Sequence, residues 1–362
     1  MIIKALELTD FRNYESLNIE FDEGTNILYG DNAQGKTNIL EAIFIAATTK
    51  SHKGSKDREI INFDKEEAHI RTYIEKDNDT KKVDMHLRKS KSKIVHLDGV
   101  KVKKAANLLG ICNVVFFSPE DLSIIKDGPS ERRRFADMEL CQLDNSYLFN
   151  LSHYNKIVEQ RNSLLKDIYF NQDLKNTIDI WDMQLINYGA KIIERRLEFA
   201  KELNDIIKDI HSKLSGGKEE IEVIYEPNVE ISDFENALRS AREKDMRSKI
   251  TSVGPHRDDF CFNVNGIDIR KYGSQGQQRT AALSLKLAEI EIVKKITGEN
   301  PILLLDDVLS ELDNNRQNYL LNSIGSIQTI ISCTGLEDFV NNRFEINKIF
   351  NVKDGKVEVM SK

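Results

Sequence analysis

Short apolar runs bounded by glycine, proline or acidic residues alternate along the chain with segments whose apolar residues recur every three or four positions. The run TNILY at residues 25–29 is typical of a buried strand, and residues 37–48 repeat apolar side chains at helical spacing. The run Ile302 to Leu305, preceded by proline and followed by two aspartates, predicts a buried parallel strand with acids at its carboxyl end. This alternation predicts an α/β fold.

A helical texture occupies the middle of the chain, from about Asp121 to Leu214. Apolar residues recur at helical spacing in two series. The first series predicts a helix that packs on a longer one, and the second predicts that longer helix, which Gly216 and Gly217 end. The first series is Leu140, Leu143, Tyr147, Leu151, Tyr154 and Val158, and the second is Ile178, Trp181, Leu185, Tyr188, Ile192, Leu197, Ala200, Leu203, Ile207, Ile210 and Leu214. We therefore expect a helical lobe at 121–249, inserted into a head formed by 1–120 and 250–362.

Two hairpins are predicted from two-residue turn signals flanked by alternating apolar residues. Asp98-Gly99 lies within IVHLDGVKV, and Asn265-Gly266 lies within FCFNVNGIDI. Both dipeptides favour the type I′ turn, whose central residues need positive φ angles.

The octapeptide GDNAQGKT joins the first predicted strand to the first predicted helix. Its spacing is that of a loop whose backbone N–H groups converge on phosphate oxygens, with Lys36 on the β and γ phosphates and the Thr37 hydroxyl on Mg²⁺. The helix N-terminus also favours an anion. The alternative is an ordinary glycine turn before a helix. The predicted nucleotide-binding residues are Gly30, Asp31, Asn32, Ala33, Gln34, Gly35, Lys36 and Thr37.

The two aspartates after the Ile302 strand are the candidate metal ligand and the candidate base. Ligands of open α/β sheets bind at the carboxyl edge of the strands. There Asp306 would hold Mg²⁺ opposite Thr37, directly or through water, and Asp307 would orient or deprotonate the attacking water. A core strand followed by a solvated acidic turn is the alternative.

A polar loop, Ser274, Gln275, Gly276 and Gln277, opens a predicted amphipathic helix with Leu283, Leu287 and Ile290 on one face. Such a helix start offers N–H groups and a hydroxyl to a phosphate. Because the chain already has one phosphate loop, a second would suit the nucleotide of another copy. A plain serine-capped helix is the alternative.

The net charge of −7 argues at first against binding nucleic acid, but its distribution is uneven. Residues 76–104 carry ten Lys or Arg against four Asp, and alternating Val83, Met85 and Leu87 predict strands there. Basic side chains on a small sheet could follow a phosphate backbone without reading sequence. A solvated, charge-rich sheet face is the alternative, and Arg132, Arg133 and Arg134 are a second candidate. The predicted DNA-binding residues are Lys81, Lys82, Arg88, Lys89, Lys101, Lys103 and Lys104.

Other features limit the classes of protein. Cysteines 112, 141, 261 and 333 have no metal-ligand or disulfide spacing, which favours reduced thiols. GPHRDDF (254–260) matches no common ligand set, so structural contacts are expected there. Charged residues interrupt the first twenty positions, and no apolar run is long enough to span a membrane. We expect a soluble, cytoplasmic protein with no membrane partner.

The order of phosphate loop, SQGQ, LLLDD and SELD resembles the ATP-binding-cassette heads of SMC-type proteins. The amino-acid sequences of five segments are similar to those of the RecF family of bacterial DNA replication and repair proteins. These are GDNAQGKTNILEAI (30–43), SPEDL (118–122), GPHRDDF (254–260), GSQGQQRT (273–280) and LLLDDVLSELD (303–313). The resemblance implies an SMC-like cassette head with a mixed sheet and an inserted helical lobe.

The same resemblance implies a cytoplasmic, ATP-dependent DNA-binding protein that dimerises on ATP and, with RecO and RecR, helps to place RecA on gapped DNA. It assigns Gly30 to Thr37 to ATP, Asp306 to Mg²⁺, and Ser274 to Gln277 to the γ-phosphate held by the partner. Two positions depart from the wider superfamily, since Asp307 replaces a catalytic glutamate and Thr334 stands where many members have a histidine. Both departures predict a weak ATPase. The subunit of a transporter and a scaffold held by unhydrolysed ATP are the alternatives.

Overall fold

The computed structural model describes residues 1–76, 79–335 and 345–360, so Asp77 of the basic segment lies outside the described residues. The strands are β1 Ile2–Phe11, β2 Tyr14–Glu20, β3 Thr25–Tyr29, β4 Glu67–Lys76, β5 Asp79–Arg88, β6 Ile94–Leu97, β7 Val100–Lys101, β8 Val114–Phe117, β9 Ile221–Glu226, β10 Asp259–Val264, β11 Ile267–Asp268, β12 Ile302–Asp306, β13 Thr329–Cys333, β14 Lys348–Lys353 and β15 Lys356–Met360. The α-helices are α1 Lys36–Thr48, α2 Asp57–Ile60, α3 Leu122–Lys126, α4 Pro129–Leu143, α5 Asn145–Asp167, α6 Ile178–Leu214, α7 Phe234–Ser248, α8 Ile269–Tyr272, α9 Gln275–Thr297 and α10 Asn314–Ser323.

Contacts divide the chain into two compact units. The first comprises Met1–Asp121 and Glu289–Lys362, and the second comprises Leu122–Ala288. The expected domains also change near residue 121, but they assign residues 250–288 to the head. In the structure those residues cluster with the second unit, because β10 pairs along its whole length with β9.

A mixed six-stranded sheet of the first unit has the order β15-β14-β3-β13-β12-β8. The pairs from β14 to β8 are parallel, and β15 is antiparallel to β14. The carboxyl ends of β3, β13 and β12 are therefore neighbours at one edge of the sheet. The predicted α/β class and mixed sheet are confirmed, and so are the two buried strands predicted from sequence.

A second six-stranded sheet of the first unit has the order β2-β1-β4-β5-β6-β7 and is antiparallel. Helix α1 contacts strands of both sheets, β12 and β13 of the mixed sheet and β4 and β5 of this one. Eleven of its residues are consequently buried, including Ile39, Leu40 and Ile43. A helix with apolar residues on all sides is the type that a core encloses.

Both predicted hairpins form. Asp98 and Gly99 have φ angles of 51° and 80°, and Asn265 and Gly266 have φ angles of 50° and 77°. Positive φ at both central residues is the requirement of a type I′ turn. The alternation in β5 is also confirmed, with Val83, Met85 and Leu87 buried.

The second unit forms the predicted long helix, α6. The single helix that was predicted to pack on it is wrong, because a break at Asp144 separates two helices there. The carboxylate of Asp144 accepts hydrogen bonds from the backbone of Ser146 and Tyr147 and caps a new helix. The first apolar series is therefore divided between α4 and α5. Helix α5 contacts α6.

Helix α9 also differs from its predicted amphipathic form, because residues 280–290 are all buried. Some of its polar side chains make hydrogen bonds inside the protein. The Ser284 hydroxyl, for example, donates to the carbonyl of Thr280 at 2.7 Å and lies 2.9 Å from His211 Nδ1. Among the described residues, no helix combines the length and apolarity needed to cross a membrane.

Candidate nucleotide site

Three neighbouring parallel strands deliver the site's residues to one edge of the mixed sheet. The glycine loop follows β3, Ser332 lies near the end of β13, and Asp306 ends β12. The register pairs Asp306 with Ser332, and Ser332 with Leu28. This edge is where a parallel sheet places its ligands.

The loop from Gly30 to Thr37 has the backbone of a tight phosphate cradle. Gly35 has a φ of 116°, and a Cβ there would lie 2.7 Å from both Asn13 Nδ2 and Tyr14 Oη. A Cβ on Gly30, whose φ is 156°, would collide with the carbonyl oxygen of Val352. Both glycines are therefore required by the fold.

The ammonium of Lys36 is held inside this loop. Its Nζ donates to the carbonyl oxygens of Gly30 at 2.6 Å and Asp31 at 2.7 Å. Burial lowers the pKa of Lys36, and the negative charges of Asp307 and Asp306 oppose this effect. The loop thus holds one cation against two of its own carbonyl oxygens.

Asp306 joins the loop to the far strand. Its Oδ1 accepts hydrogen bonds from Thr37 Oγ1 at 2.8 Å and from Ser332 Oγ at 2.7 Å. A hydroxyl and a carboxylate are the hard oxygen ligands that Mg²⁺ prefers. The donor set brought together by Thr37 and Asp306 therefore fits this ion.

Asp307 has an unusual backbone for a non-glycine residue, with a φ of 52°. Its N–H is held by Ser332, 3.0 Å from Oγ and 3.3 Å from the carbonyl oxygen. Burial raises the pKa of its carboxyl group, Lys36 lowers it, and Asp306 and Glu311 raise it further. Left-handed backbone in a non-glycine residue costs of order 1 kcal/mol and is found disproportionately at functional sites.

Residues from the β1–β2 turn support the loop and the helix that follows it. Asn13 Nδ2 and Tyr14 Oη donate to the carbonyl oxygens of Gln34 and Gly35, each at 3.1 Å. Arg12 makes a bidentate pair with buried Glu41 of α1. Although burial raises the pKa of Glu41, the Arg12 partner brings it below its usual value.

The SQGQ segment begins α9 with reciprocal hydrogen bonds. Gln277 N donates to Ser274 Oγ at 3.2 Å, and Ser274 N donates to Gln277 Oε1 at 2.9 Å, which is a capping box. Ser274, Gln275 and Gly276 are exposed. The Ser274 hydroxyl accepts in this box, so its own proton can still be donated to an outside acceptor.

Gly276 has no structural reason to lack a side chain. Its φ is not positive, and a Cβ would meet only Ser274 Oγ, at 3.9 Å. Glycine in a helix is less favourable than alanine by about 0.5–1 kcal/mol. Bare backbone at such a position is useful where an outside group must approach closely.

The predicted DNA-binding residues fall into two groups. Three lysines, on β5 and just beyond it, form ion pairs, and Arg88 donates to the carbonyl oxygen of Ser92. In contrast, Lys101, Lys103 and Lys104 are exposed and form no ion pair with any described residue. The ion pairs, at 3.3 to 3.7 Å, are Lys81 with Asp79, Lys82 with Asp84 and Lys89 with Glu66.

The arginine run of α4 is largely used inside the second unit. Arg132 is buried and forms a bidentate pair with Asp259, and Arg133 donates to the carbonyl oxygen of Asp258 at 2.7 Å. Arg134 lies 3.7 Å from Glu131. These contacts are structural.

GPHRDDF also serves the packing of the second unit. Buried Asp258 accepts hydrogen bonds from Arg196, from the Tyr225 hydroxyl and from the backbone of Asn228. His256 Nδ1 lies 2.7 Å from the Tyr154 hydroxyl, and its Nε2 lies 2.9 Å from the carbonyl oxygen of Thr251.

Sequence reasoning missed Ser332 and the supports Asn13 and Tyr14. A serine inside the otherwise apolar run TIISC was the available signal for Ser332, because a polar residue in a buried parallel strand needs a partner. Thr334, which sequence analysis singled out after this strand, is exposed.

Comparison with known proteins gives concordant results. The family described as RecF/RecN/SMC N terminal domain matches residues 2–358. A protein named DNA replication and repair protein RecF, from Lachnoclostridium phytofermentans, is 63% identical over 358 residues, covering 99% of each chain. A relative of the same name from Agathobacter rectalis is 61% identical over 360 residues, again covering 99% of each.

Solved structures agree with these relatives. The recombination mediator protein RecF-ATP of the RecFOR pathway is similar at a TM-score of 0.93 and 38% identity, covering 99% of this chain and 98% of that one. An Smc head bound to the C-winged helix domain of ScpA has the same fold, at a TM-score of 0.57 and 18% identity, covering 99% and 97%. The expected SMC-like head is confirmed, and the chain belongs to the RecF family.

Proposed function

We propose that this chain is an ATP-binding recombination mediator of the RecFOR pathway that acts in DNA replication and repair. Relatives of the same length carry the name DNA replication and repair protein RecF, and a similar solved structure is that of RecF-ATP. The observation that carries the proposal is the meeting of Thr37 with Asp306 beside a loop that holds Lys36.

In the proposed mechanism, the loop from Gly30 to Thr37 wraps the triphosphate with its backbone N–H groups. Lys36 exchanges its two carbonyl partners for β- and γ-phosphate oxygens. Thr37 and Asp306 would hold Mg²⁺, and that ion would neutralise charge on the phosphates.

Asp307 is the proposed catalytic carboxylate, placed to orient or deprotonate the attacking water. Aspartate is one methylene shorter than the glutamate of most cassette ATPases, and Thr334 offers a hydroxyl in place of an imidazole. We therefore expect weak hydrolysis that acts as a timer on the bound state. A turnover comparable to that of a fast motor ATPase would contradict this expectation.

The SQGQ segment is proposed to bind the γ-phosphate held by a second copy, so that ATP joins a homodimer. The exposed capping box leaves the Ser274 proton and the helix N-terminus available to an anion. The unobstructed space around Gly276 supports close approach of a phosphate.

The basic hairpin β6–β7 and the lysines after it are the proposed contact with the DNA backbone. Lys101, Lys103 and Lys104 are exposed and have no ion pair in the described part of the chain, whereas the β5 lysines are already paired. Contacts to phosphates alone give binding that is independent of sequence and falls steeply with salt.

RecO and RecR are the proposed partners, and loading of RecA onto gapped DNA is the proposed outcome. A cytoplasmic location is also proposed for this chain, because its four cysteines are free thiols.

The test is to size the protein by light scattering with and without Mg-ATP and a gapped duplex. We expect an ATP-dependent dimer that binds the duplex. Lys36→Ala should abolish both, whereas Asp307→Asn should lose turnover and keep the ATP-dependent dimer. A scaffold held by unhydrolysed ATP would show no turnover to lose, and a monomer at saturating ATP would overturn the proposal.

A further inference from the structure

Two histidines and a glutamate meet on the partly exposed face of the antiparallel sheet, away from the glycine loop in sequence. His69 of β4 pairs directly with His86 of β5, and Glu67 precedes His69 by two residues. Side chains two residues apart on a strand point to the same face. The three side chains therefore share one face of two adjacent strands.

Their donor atoms are already close. The imidazole rings of His69 and His86 stack with centroids 4.2 Å apart and planes 16° from parallel. His86 Nε2 lies 2.7 Å from Glu67 Oε2. One ligand atom from each residue can be chosen so that all lie within 4.8 Å of one another.

This set matches the chemistry of a transition-metal site. Two imidazoles and a carboxylate are a common protein ligand set for Zn²⁺, with the fourth position open to water. Ligand atoms bound tetrahedrally at about 2.0–2.2 Å lie roughly 3.3–3.6 Å apart. For their in-plane lone pairs to converge on one ion, the two rings must also turn out of their stacked arrangement, and neither imidazole is buried in the structure.

The surroundings do not present an unbalanced positive charge. Arg71, two residues after His69, is paired with Glu7 at 2.8 Å and with Asp84 at 3.1 Å. On the strands that flank β4 and β5, Thr9 of β1 is paired with His69 and Ile94 of β6 is paired with His86. The paired strands fix the backbone positions of both histidines, which reduces the conformational entropy lost on binding.

We propose that Glu67, His69 and His86 form a binding site for Zn²⁺ or a similar first-row transition-metal dication. The ion would replace the hydrogen bond between Glu67 and His86 and link β4 to β5. Because β5 pairs with β6 of the basic hairpin, the ion would brace the sheet that presents Lys101.

The competing interpretation is simple cross-strand packing of two imidazoles with a carboxylate partner. Packing alone predicts no specific affinity for Zn²⁺. Mg²⁺ prefers oxygen ligands and should not compete at this site.

The experiment is calorimetric titration of the full, nucleotide-free protein with Zn²⁺ in the presence of millimolar Mg²⁺, together with the thermal midpoint with and without Zn²⁺. We expect binding that raises the midpoint. His69→Gln with His86→Gln should weaken it by more than about tenfold, since even partners outside the ligand shell are worth 10–100-fold.

The matched control is His153→Gln, which removes a partly exposed histidine of α5. This variant should bind Zn²⁺ as the original protein does. Glu67→Gln removes one ligand and should weaken binding without altering the two rings. Equal affinity in the double-histidine variant, or no Zn²⁺-dependent rise in the midpoint of the unaltered protein, would overturn the proposal.

Discussion

The Thr37 hydroxyl donates a hydrogen bond of 2.8 Å to Asp306, although 269 residues separate them in the chain. Strand β13 lies between β12, which ends at Asp306, and β3, which precedes the loop and α1 with Thr37; its Ser332 donates to the same carboxylate oxygen. One oxygen of Asp306 is thereby fixed by two hydroxyls, one from the start of α1 and one from β13. This arrangement defines the proposed ion site before any ligand arrives.

Ser332 is predicted to position both acids. Its hydroxyl donates to Asp306 and accepts from the N–H of Asp307, so Ser332→Ala leaves both less constrained. A hydrogen bond to a charged group is worth about 1.5–3 kcal/mol, so we expect kcat for ATP to fall about tenfold or more. Steady-state hydrolysis measures kcat, and fluorescence of a labelled nucleotide measures its binding, which should change less.

Ser323→Ala is the control for that variant, because the Ser323 hydroxyl donates to the carbonyl oxygen of Tyr319 at the exposed end of α10. It should hydrolyse ATP normally. Unchanged kcat in both variants would remove Ser332 from the mechanism.

Gly276→Ala is predicted to separate folding from assembly. With helical backbone and open space, alanine should stabilise the nucleotide-free protein by about 0.5 kcal/mol. The added methyl group should nevertheless hinder a partner's phosphate and weaken the ATP-dependent dimer. Urea unfolding gives the first quantity and sedimentation the second. A variant that is more stable and dimerises normally would argue against the role of this glycine.

Charge reversal at the end of the basic segment should weaken DNA binding. We expect Lys101→Glu, Lys103→Glu and Lys104→Glu together to reduce the salt dependence of binding, because each phosphate contact adds about 0.9 to the logarithmic slope. Fluorescence anisotropy across a salt series measures it. The control reverses three exposed lysines of the second unit, Lys156, Lys166 and Lys175, with the same change in net charge. If the salt dependence of DNA binding fell equally in both triple variants, the effect would come from net charge and not from these three lysines.

The stability of the second unit should depend on pH through His256. Burial lowers its pKa from 6.5 to about 4, an effect that the neighbouring Thr251 carbonyl opposes. The unfolded chain therefore binds more protons between pH 4 and 6.5, so stability falls as pH decreases through that window, by about 3 kcal/mol in total. Urea unfolding at pH 4.5 and 7 measures the loss. His256→Gln should reduce the pH dependence, and an unchanged slope would assign it to other groups.

Much of the site could be predicted from the sequence because the motifs that indicate it are local. The glycine loop and the acids after β12 lie within single motifs, and the turn dipeptides fix the φ angles of their own residues. Ser332 could not be assigned this way, because its partners are set by parallel pairing of β13 with β12. The pairing of His69 with His86 likewise depends on the register of β4 and β5.

The remaining differences arise from packing. The polar pattern of α9 predicted one solvated face, but Ser284 and its neighbours are enclosed and find partners inside the protein. The division of the first helical series at Asp144 depends on one capping side chain. Such competition between helix continuation and side-chain capping is weakly encoded in apolar spacing.

The central claim, that ATP is shared between the loop of one copy and the SQGQ segment of another, is tested most directly by mixing two defective variants. Lys36→Ala removes the loop's cation, and Ser274→Arg blocks the segment that reaches the partner. Light scattering with Mg-ATP should find each variant monomeric alone, and the equimolar mixture should form a heterodimer through its one intact composite site. A mixture that stays monomeric, or Ser274→Arg dimerising alone as the unaltered protein does, would contradict the account.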